Sequence, residues 1–414
     1  MAGAAVQLEQ NPAGSLSRRL IPAIAALSLM QAMIGQFIVQ GVPLFLRDAG
    51  HSATIIGMVY LVSLPYVLRF LWAPLVDRYG VTRFGHFRSW ILGGHVLACC
   101  ALGLFILTDP ATRPVLLLLV ILPLMVGIAC QLTATGGLMA DRLSPQNRAS
   151  GVAAQSAGSG VAGLVLGLCV LYLLADSGWS VTVSALLAFA LAGLCGLCLL
   201  TLDAGSSPPP DPAPFWSQLS IVKRRDTRKL LMISVLVAMG LVLTYGLKSL
   251  VLIDAGYSVS EAGLVGLLFG NAAGVVCALA ARPLVDRWGG LTCLAAAGAA
   301  VMIYCLVFAV LFMDGPSKVE AAAFAIIANG LLFAAFIASR SLVMGRCAEG
   351  AKASEFATFV SLEGLVALAF AGIGNVMFAQ VGFPPVLLLA AAGSLCGAWW
   401  AWSSRAEFET EEAS

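Results

Sequence analysis

Three ionisable residues, Arg69, Lys248 and Glu363, lie inside long apolar stretches of this 414-residue sequence. Burying a charge in a bilayer is costly, so an ionisable side chain at membrane depth predicts a functional role. Glu363 could load and release a proton, and Lys248 could attract an anionic ligand. Lys248 lies near the end of its stretch, and snorkelling to the interface is an alternative of equal weight for it.

Polar side chains in four of the apolar stretches form a second candidate set. Gln36 and Gln40 are four residues apart and so share one face of a helix. Buried amides need partners, which a water-filled cavity could supply, although hydrogen bonding between helices is an open alternative. Gln131, Tyr245 and Asn329 could complete a polar ring. These residues, with Lys248, are the predicted substrate contacts.

Charged pairs end two apolar stretches at equivalent positions. Residues 74–80 (PLVDRYG) and 283–289 (PLVDRWG) are nearly identical and lie 209 residues apart. Asp77 with Arg78, and Asp286 with Arg287, are predicted to latch helix ends in one access state. The alternative is that the arginines only mark topology. Shorter matches at a similar offset, DAGHS at 48–52 and DAGYS at 254–258, indicate that the second half of the chain repeats the first.

The composition requires elements that span a membrane. The chain is 60% hydrophobic and 11% charged, whereas a soluble domain carries about 25% charged residues. Stretches of spanning length occur near 20–46, 54–76, 89–107, 115–140, 150–174, 181–202, 229–252, 260–285, 291–313, 320–344, 355–379 and 386–404. All should be helices, because lipid offers the backbone no partner. We predict an all-α membrane protein with two six-helix halves, 1–202 and 229–414, joined by a cytoplasmic linker at 203–228.

The distribution of Lys and Arg sets the expected topology. With both termini in the cytoplasm, the outer loops contain only Arg47, Arg113 and Lys318, as the positive-inside rule requires. This predicts a multi-pass membrane protein with both termini in the cytoplasm, and the net charge of +2 gives no reason to expect nucleic acid. The eight tryptophans, including Trp179 in an outer loop, are interpreted as interfacial anchors.

Motifs for catalysis or a metal site are missing from the sequence. The eleven cysteines are scattered, and Cys195 with Cys198 lacks a second pair, so helix packing is the expected role of these two. His95 is expected to be hydrogen-bonded packing. No phosphate-binding lysine loop and no nucleophile–base arrangement is recognisable. We therefore predict a transporter without a cofactor, not an enzyme.

Twelve spans in a six-plus-six repeat, with Asp-Arg-x-Gly after the second and eighth spans, resemble the major facilitator superfamily. Residues 69–75 (RFLWAPL) are similar to the branch that holds muropeptide permeases, acetyl-CoA carriers and siderophore permeases of the RhtX/FptX type. Residues 30–37 of the first span and the two DAG loops resemble the permeases for ferric pyochelin most closely.

The resemblance implies import of a ferric siderophore by alternating access. Such a chelate brings its own iron ligands, so the permease needs no metal site. Proton coupling and facilitated diffusion with cytoplasmic trapping both remain open. The alternatives are a permease for muropeptides or other amphiphiles, a drug exporter, or a membrane receptor that does not transport. We expect a monomer that contacts its small-molecule ligand and the bilayer.

The resemblance also implies which spans meet. The first, fourth, seventh and tenth would line the cavity, and the fifth and eighth would meet across the halves. Glycine stripes on the latter two are therefore interpreted as a sliding seam: Gly163, Gly167, Gly266, Gly270 and Gly274.

The second and eleventh spans would face each other across the halves. Arg69 and Glu363 each lie about 12 Å from the inner end of their span. We predict that they form one ion pair between the halves. The alternative is that each side chain meets only water.

Overall fold

A computed structural model describes residues 12–413, except 82, 109, 111, 200–213, 215, 245 and 246. Nine helices in these described ranges are long and apolar enough to cross a membrane. One of them, Pro145–Cys198, has 54 residues and turns back at Gly178, so it makes two spans. The second and seventh spans are broken helices. Together these segments give the twelve-helix, all-α membrane fold that the sequence predicts.

The first compact unit comprises 1–218 together with 347–357. Its spans are α1 (Pro12–Gln36, a π turn Phe37–Gly41, and Val42–Asp48), α2 (Ala53–Val62, Leu64–Val67, a 3-10 turn Leu68–Leu71, and Ala73–Arg78), α3 (His86–Leu107), α4 (Pro114–Arg142), α5 (Arg148–Val165, a π turn Leu166–Val170, and the first part of Leu171–Leu199) and α6 (the rest of Leu171–Leu199). Within this unit α1 packs on α5, and α3 packs on α4 and α6.

The second compact unit comprises 219–346 and 358–414. Its spans are α7 (Arg225–Leu243 and Leu247–Asp254), α8 (Val259–Leu264, a π turn Val265–Phe269, and Gly270–Trp288), α9 (Gly290–Leu311), α10 (Lys318–Met344), α11 (Lys352–Val381) and α12 (Phe383–Ala413). The first residues of α11 pack with the first unit. Of the linker predicted at 203–228, residues 203–213 and 215 lie outside the described residues, whereas a 3-10 turn at Ser217–Leu219 and a short helix at Ser220–Lys223 are described. The division of the chain at this linker stays a prediction.

The breaks in the helices have local causes. In α2, Pro65 and Pro74 each stand in the first turn of a new piece, where proline's missing N–H costs nothing. In α1 a side chain on Gly41 would come within 2.7 Å of the Phe37 ring, so glycine permits the π turn there. Such turns frequently occur at functional sites, and α1, α5 and α8 each have one.

The duplication is visible in the packing as well as in the loops. Gly50 and Gly256 take positive φ at the ends of α1 and α7, while Ser52 and Ser258 cap the next helices. The repeated DAG loops are thus a repeated signal to end one helix and begin another. In α6, Gly193 lies against the sulfur of Met30 on α1. In α12, Gly393 lies against the sulfur of Met239 on α7 in the same way.

Trp179 is buried in the core, and the interpretation of this residue as an interfacial anchor is wrong. Only 6% of it is exposed, and its Nε1 donates to the carbonyl oxygen of Phe105 at 3.0 Å. Its ring lies 5.2 Å from that of Phe45. The connection between α5 and α6 is a kink at Gly178, with φ of 78°, instead of a loop that could hold the indole at the surface.

The glycine stripe of α8 packs within its own unit, so the seam prediction is wrong for Gly270 and Gly274. A side chain on Gly270 would overlap the amide of Asn329, and one on Gly274 would lie 3.1 Å from the ring of Phe333. Both neighbours are on α10. Spacing of small residues shows that a helix is approached closely, but it does not identify the approaching helix.

Candidate transport site

Lys248 and Asn329, two of the predicted substrate contacts, lie together in the second unit. Nζ of Lys248 donates to Oδ1 of Asn329 at 2.9 Å, and Nδ2 of Asn329 donates to the carbonyl oxygen of Gly266 at 3.4 Å. Lys248 stands in the first turn of the second piece of α7, directly after the break in that helix, and Gly266 is in the π turn of α8. Two irregular helices therefore present polar groups to one amide of α10.

Gly270 makes room for this amide. Since the side-chain nitrogen of Asn329 occupies the space that a Cβ at 270 would take, any residue larger than glycine must displace it. Gly266 is a matched neighbour, because nothing lies within 4 Å of a Cβ built there.

We expect Gly270→Ala to move Asn329 and to lower transport several-fold through loss of the Lys248–Asn329 hydrogen bond, which is worth about 1–3 kcal/mol for a charged donor. Gly266→Ala should transport at nearly the normal rate, since only the carbonyl oxygen of residue 266 is used. Initial uptake rates at matched membrane abundance provide the comparison. Equal rates in the two variants would show that Asn329 does not depend on Gly270.

Glu363, the predicted proton carrier, lies in a hydroxyl network of the second unit. Its Oε1 accepts from Oγ of Ser339 at 3.0 Å, and Oγ of Ser339 is 2.8 Å from Oγ of Ser234. Oε2 is buried and has no hydrogen-bond partner among the described residues. The carboxyl group therefore has one anchored oxygen and one oxygen that can accept or carry a proton.

Arg340 is the cation that the sequence reasoning missed. The positive-inside rule assigns Arg340 to the cytoplasmic side, since the outer loops contain only Arg47, Arg113 and Lys318. In the structure it lies inside α10, is partly buried, and acts electrostatically on Glu363. Its guanidinium carbon is 4.2 Å from the ring centroid of Phe336. One feature of the sequence indicates this placement. Arg340 lies four residues before the end of an apolar run, where its side chain can still point towards the interior of the unit.

Arg69 is buried in the first unit, on the 3-10 turn of α2. Its guanidinium carbon is 5.6 Å from the ring centroid of Tyr66. The ion pair between Arg69 and Glu363 would join the two units and stays a prediction.

The predicted amides of the first unit differ in their surroundings. Nε2 of Gln36 donates to the carbonyl oxygen of Ser159 on α5 at 3.1 Å. This contact is the hydrogen bonding between helices that the sequence left open as an alternative to a cavity. Gln40 is partly buried within the π turn, so the α-helical spacing used to place it beside Gln36 does not hold there. Gln131 has no exposed surface. Tyr245 lies outside the described residues.

Gln131 faces His95, and the geometry of the pair indicates how its amide is oriented. Nε2 of His95 lies 2.8 Å from the carbonyl oxygen of Ala190, so it must carry the proton of a neutral ring. Nδ1 is then an acceptor, yet Oε1 of Gln131 is placed 3.3 Å from it. Exchanging the amide atoms resolves this conflict and also gives the unpartnered Nε2 of Gln131 an acceptor. This contact is hydrogen-bonded packing, as expected for His95.

Asp77 caps the start of α11, whose first residues pack in the same unit. Oδ1 accepts from N of Ala353 at 2.9 Å, and Oδ2 accepts from N of Ser354 at 2.7 Å. Oδ2 also accepts from Oγ of Ser354. A carboxyl group here satisfies N–H groups that a helix start leaves unpaired.

The other three residues of the predicted latches are placed differently. Arg78, Asp286 and Arg287 are exposed. The carboxylate of Asp286 is 3.7 Å from Nε of Arg282, one turn earlier on the same helix. The repeated sequence motif thus has unlike surroundings in the two units, and the gating role of these residues stays a prediction.

In the described ranges the cysteines are free, and the cysteine and histidine side chains form no metal site. Cys195 and Cys198 are free and exposed at the surface of their unit, so their expected role in helix packing is wrong. No group of three or more His, Cys, Asp or Glu side chains placed to bind a metal occurs in the part of the chain that the structure describes.

Solved structures share this fold. A major facilitator transporter, FucP, in its outward conformation aligns with a TM-score of 0.70 over 92% of this chain and 97% of that chain, at 14% identity. The human organic anion transporter MFSD10 (TETRAN) aligns with a TM-score of 0.70 over 95% of this chain and 100% of its own, at 16% identity. At these identities the likeness concerns the fold alone.

Sequence relatives cover parts of the chain. The anhydromuropeptide permease of Escherichia coli is 28% identical over 243 residues, which are 56% of this chain and 48% of that protein. An uncharacterized protein of Haemophilus influenzae is 45% identical over 74 residues, 18% of this chain and 17% of its own. The chain thus matches at most about half the length of these relatives. The sequence profile of the Major Facilitator Superfamily matches residues 24–371. With its twelve-helix fold, the chain therefore belongs to the major facilitator superfamily and is a multi-pass membrane transporter for a small molecule.

Proposed function

We propose that this transporter imports a ferric siderophore, specifically ferric pyochelin, across the bacterial inner membrane. The observation that carries the proposal is the ammonium of Lys248, held by Asn329 beside the break in α7. The amide oxygen fixes the position of the ammonium but leaves its positive charge in place. Ferric chelators bind iron through deprotonated oxygen donors, so such a chelate offers anionic oxygens to a cation. The similarity of the first span and the DAG loops to siderophore permeases supports this cargo.

Alternating access would bring the chelate from the outer to the cytoplasmic side. In this proposal Glu363 carries the coupling proton, and its buried Oε2 is the atom that receives it. Asp77 stabilises one access state through its contacts with the start of α11. Facilitated diffusion followed by trapping of iron in the cytoplasm would use the same substrate contacts without the proton.

A muropeptide permease is the second candidate, because the anhydromuropeptide permease of Escherichia coli is 28% identical over 56% of this chain. Muropeptides carry peptide carboxylates, which Lys248 could also bind. Both candidates are anionic amphiphiles, so the cation alone does not separate them.

Growth and accumulation separate the candidates. The chain is expressed in a bacterium that takes ferric pyochelin into its periplasm but lacks an inner-membrane permease for it. We expect growth on the chelate as sole iron source, with accumulation of labelled iron inside spheroplasts. A receptor would bind the label without accumulating it.

The same expression vector is tested in a strain that lacks its anhydromuropeptide permease. Recovery of anhydromuropeptide uptake, together with absent iron accumulation, would replace the siderophore proposal by the second candidate. The variant Lys248→Met serves as the control for both assays, because it should abolish import of either anion while the protein remains in the membrane.

A further inference from the structure

Two opposite faces of α12 differ at the end that the positive-inside rule assigns to the cytoplasm. The buried face packs on the rest of the second unit and consists of Ala398, Ala401, Ser404 and Phe408. The opposite face contains Leu395, Trp399 and Trp402, spaced i, i+4 and i+7. On this face 70% of Trp399 and 50% of Trp402 is exposed. In a membrane it meets lipid, and it ends in two indole rings.

Arg405 is stacked on the second of these rings. Its guanidinium carbon lies 3.6 Å from the ring centroid of Trp402, one turn earlier on the same helix. An arginine stacked on an aromatic ring keeps its in-plane N–H groups directed outwards, and their forked geometry matches the oxygens of a phosphate. The pair therefore combines an apolar ring with a group that recognises phosphate.

The depth of this pair matches the headgroup layer of a bilayer. The helix begins at Phe383, and about 20 helical residues cross the hydrocarbon core. Trp402 and Arg405 therefore lie at the boundary between hydrocarbon and headgroups, where indole rings are preferred. Trp399 is one turn deeper, at the level of the first part of the acyl chains.

Contacts beyond the span hold this helix end in place. Nζ of Lys229 on α7 donates to Oε2 of Glu407 at 2.6 Å. The ring of Phe408 is buried, and the guanidinium carbon of Arg346, just after α10, lies 4.5 Å from its centroid. Since α12 is attached in this way to α7 and to the end of α10, the stacked pair is presented on a fixed helix.

The first half of the chain lacks the stacked pair. The repeated methionine–glycine contacts align α6 with α12 at an offset of 200 residues, from Gly193 to Gly393. At this offset the sequence has Leu199, Leu202 and Gly205 in the places of the two tryptophans and the arginine. The first half forms its helix pair without these side chains, so the fold does not require them.

We propose that Trp399, Trp402 and Arg405 form a binding site for an anionic phospholipid of the cytoplasmic leaflet. The guanidinium receives the phosphate, the ring of Trp402 lies beside the glycerol region, and Trp399 contacts the first part of an acyl chain. The occupant is a lipid because the phosphate-binding end continues along α12 into exposed apolar surface that faces the bilayer. Anionic headgroups are attracted to basic groups on this side of a membrane. The inference does not depend on the identity of the cargo.

Native mass spectrometry of the purified, delipidated full-length protein tests the inference without requiring transport. Phosphatidylglycerol and phosphatidylcholine with the same acyl chains are titrated in a non-ionic detergent, and the dissociation constant of the first bound lipid is measured. We expect phosphatidylglycerol to bind about fivefold more tightly, which is the contribution of one surface cation to an anionic headgroup. Millimolar inorganic phosphate should not displace it, because free phosphate lacks the apolar contacts.

Four variants with matching size-exclusion profiles complete the test. Arg405→Gln should lower the affinity for phosphatidylglycerol to that for phosphatidylcholine. Arg405→Lys keeps the charge but loses the planar fork, and Trp402→Leu introduces the residue found at the equivalent place of α6. Both should bind phosphatidylglycerol about threefold more weakly than the unmodified protein. Arg228→Gln removes an exposed cation from the start of α7 and should change the affinity less than about twofold.

Equal affinities for the two lipids, or full affinity in Arg405→Gln, would overturn the inference. Full affinity in Arg405→Lys and Trp402→Leu, or an equal loss in Arg228→Gln and Arg405→Gln, would show that nearby positive charge is sufficient and that the stacked pair is not a site. Displacement by millimolar phosphate would overturn the lipid as the occupant. If Arg405→Gln does not fold, Arg405→Lys and Trp402→Leu decide the question with the same outcomes.

Discussion

Asp77→Asn is expected to lower transport about tenfold while the protein inserts at normal abundance. In either orientation, the asparagine amide places its NH2 group against a backbone N–H, that of Ala353 or that of Ser354, where the carboxylate accepted a hydrogen bond. An unsatisfied buried donor costs about 1–3 kcal/mol, enough for a tenfold change in the population of one access state. Initial uptake rates, normalised to membrane abundance, measure the effect.

Asp286→Asn is the matched control. This aspartate occupies the same place in the repeated motif, but it is exposed, and the structure gives its carboxylate an exposed arginine one turn away. Such surface pairs are worth about 0.5 kcal/mol or less, so transport should change less than about twofold. Equal losses of transport in the two variants would show that both aspartates contribute in the same way. The contacts of Asp77 with the start of α11 would then not explain its effect on transport.

Glu363→Gln should uncouple accumulation from the proton gradient. Glutamine can still accept from Ser339, so the network with Ser234 survives, but it cannot carry a proton. We expect the internal concentration of cargo to reach the external one and rise no further. Exchange of labelled for unlabelled cargo should continue, because it needs no net proton movement. A Glu363→Gln protein that still concentrates cargo on a proton gradient would remove Glu363 from the coupling mechanism.

Charge exchange identifies the cation that pairs with Glu363. If Arg69 is the partner, Arg69→Glu and Glu363→Arg should each impair transport, and the double variant should recover part of it. If Arg340 is the partner instead, the combination of Arg340→Glu with Glu363→Arg should recover activity and the Arg69 combination should not. A double variant no better than the worse single one, with equal expression, excludes that pair.

The helical fold could be predicted because its causes are local. Apolar run length sets the spans, and the DAG loops contain the glycine and serine that end and begin helices. Lys248 and Asn329 were both predicted to contact the substrate, and that role stays a prediction. Their hydrogen bond to each other is a contact that the sequence pattern did not specify.

Other features depend on contacts that no local pattern specifies. Trp179 is buried because the connection between α5 and α6 is a kink at one glycine and not a loop. Gly270 packs against α10 because the Asn329 amide occupies the space that a Cβ at 270 would need. Arg340 was missed because the positive-inside count treats every arginine near a helix end alike. The seven-residue repeats are nearly identical, yet only Asp77 has the start of α11 as its neighbour.

The most direct test is uptake by purified protein in sealed proteoliposomes with labelled ferric pyochelin outside. The account predicts saturable accumulation of iron that unlabelled ferric pyochelin competes away, that Lys248→Met abolishes, and that anhydromuropeptide does not inhibit. Iron at the level of protein-free vesicles, with anhydromuropeptide accumulating in its place, would contradict it.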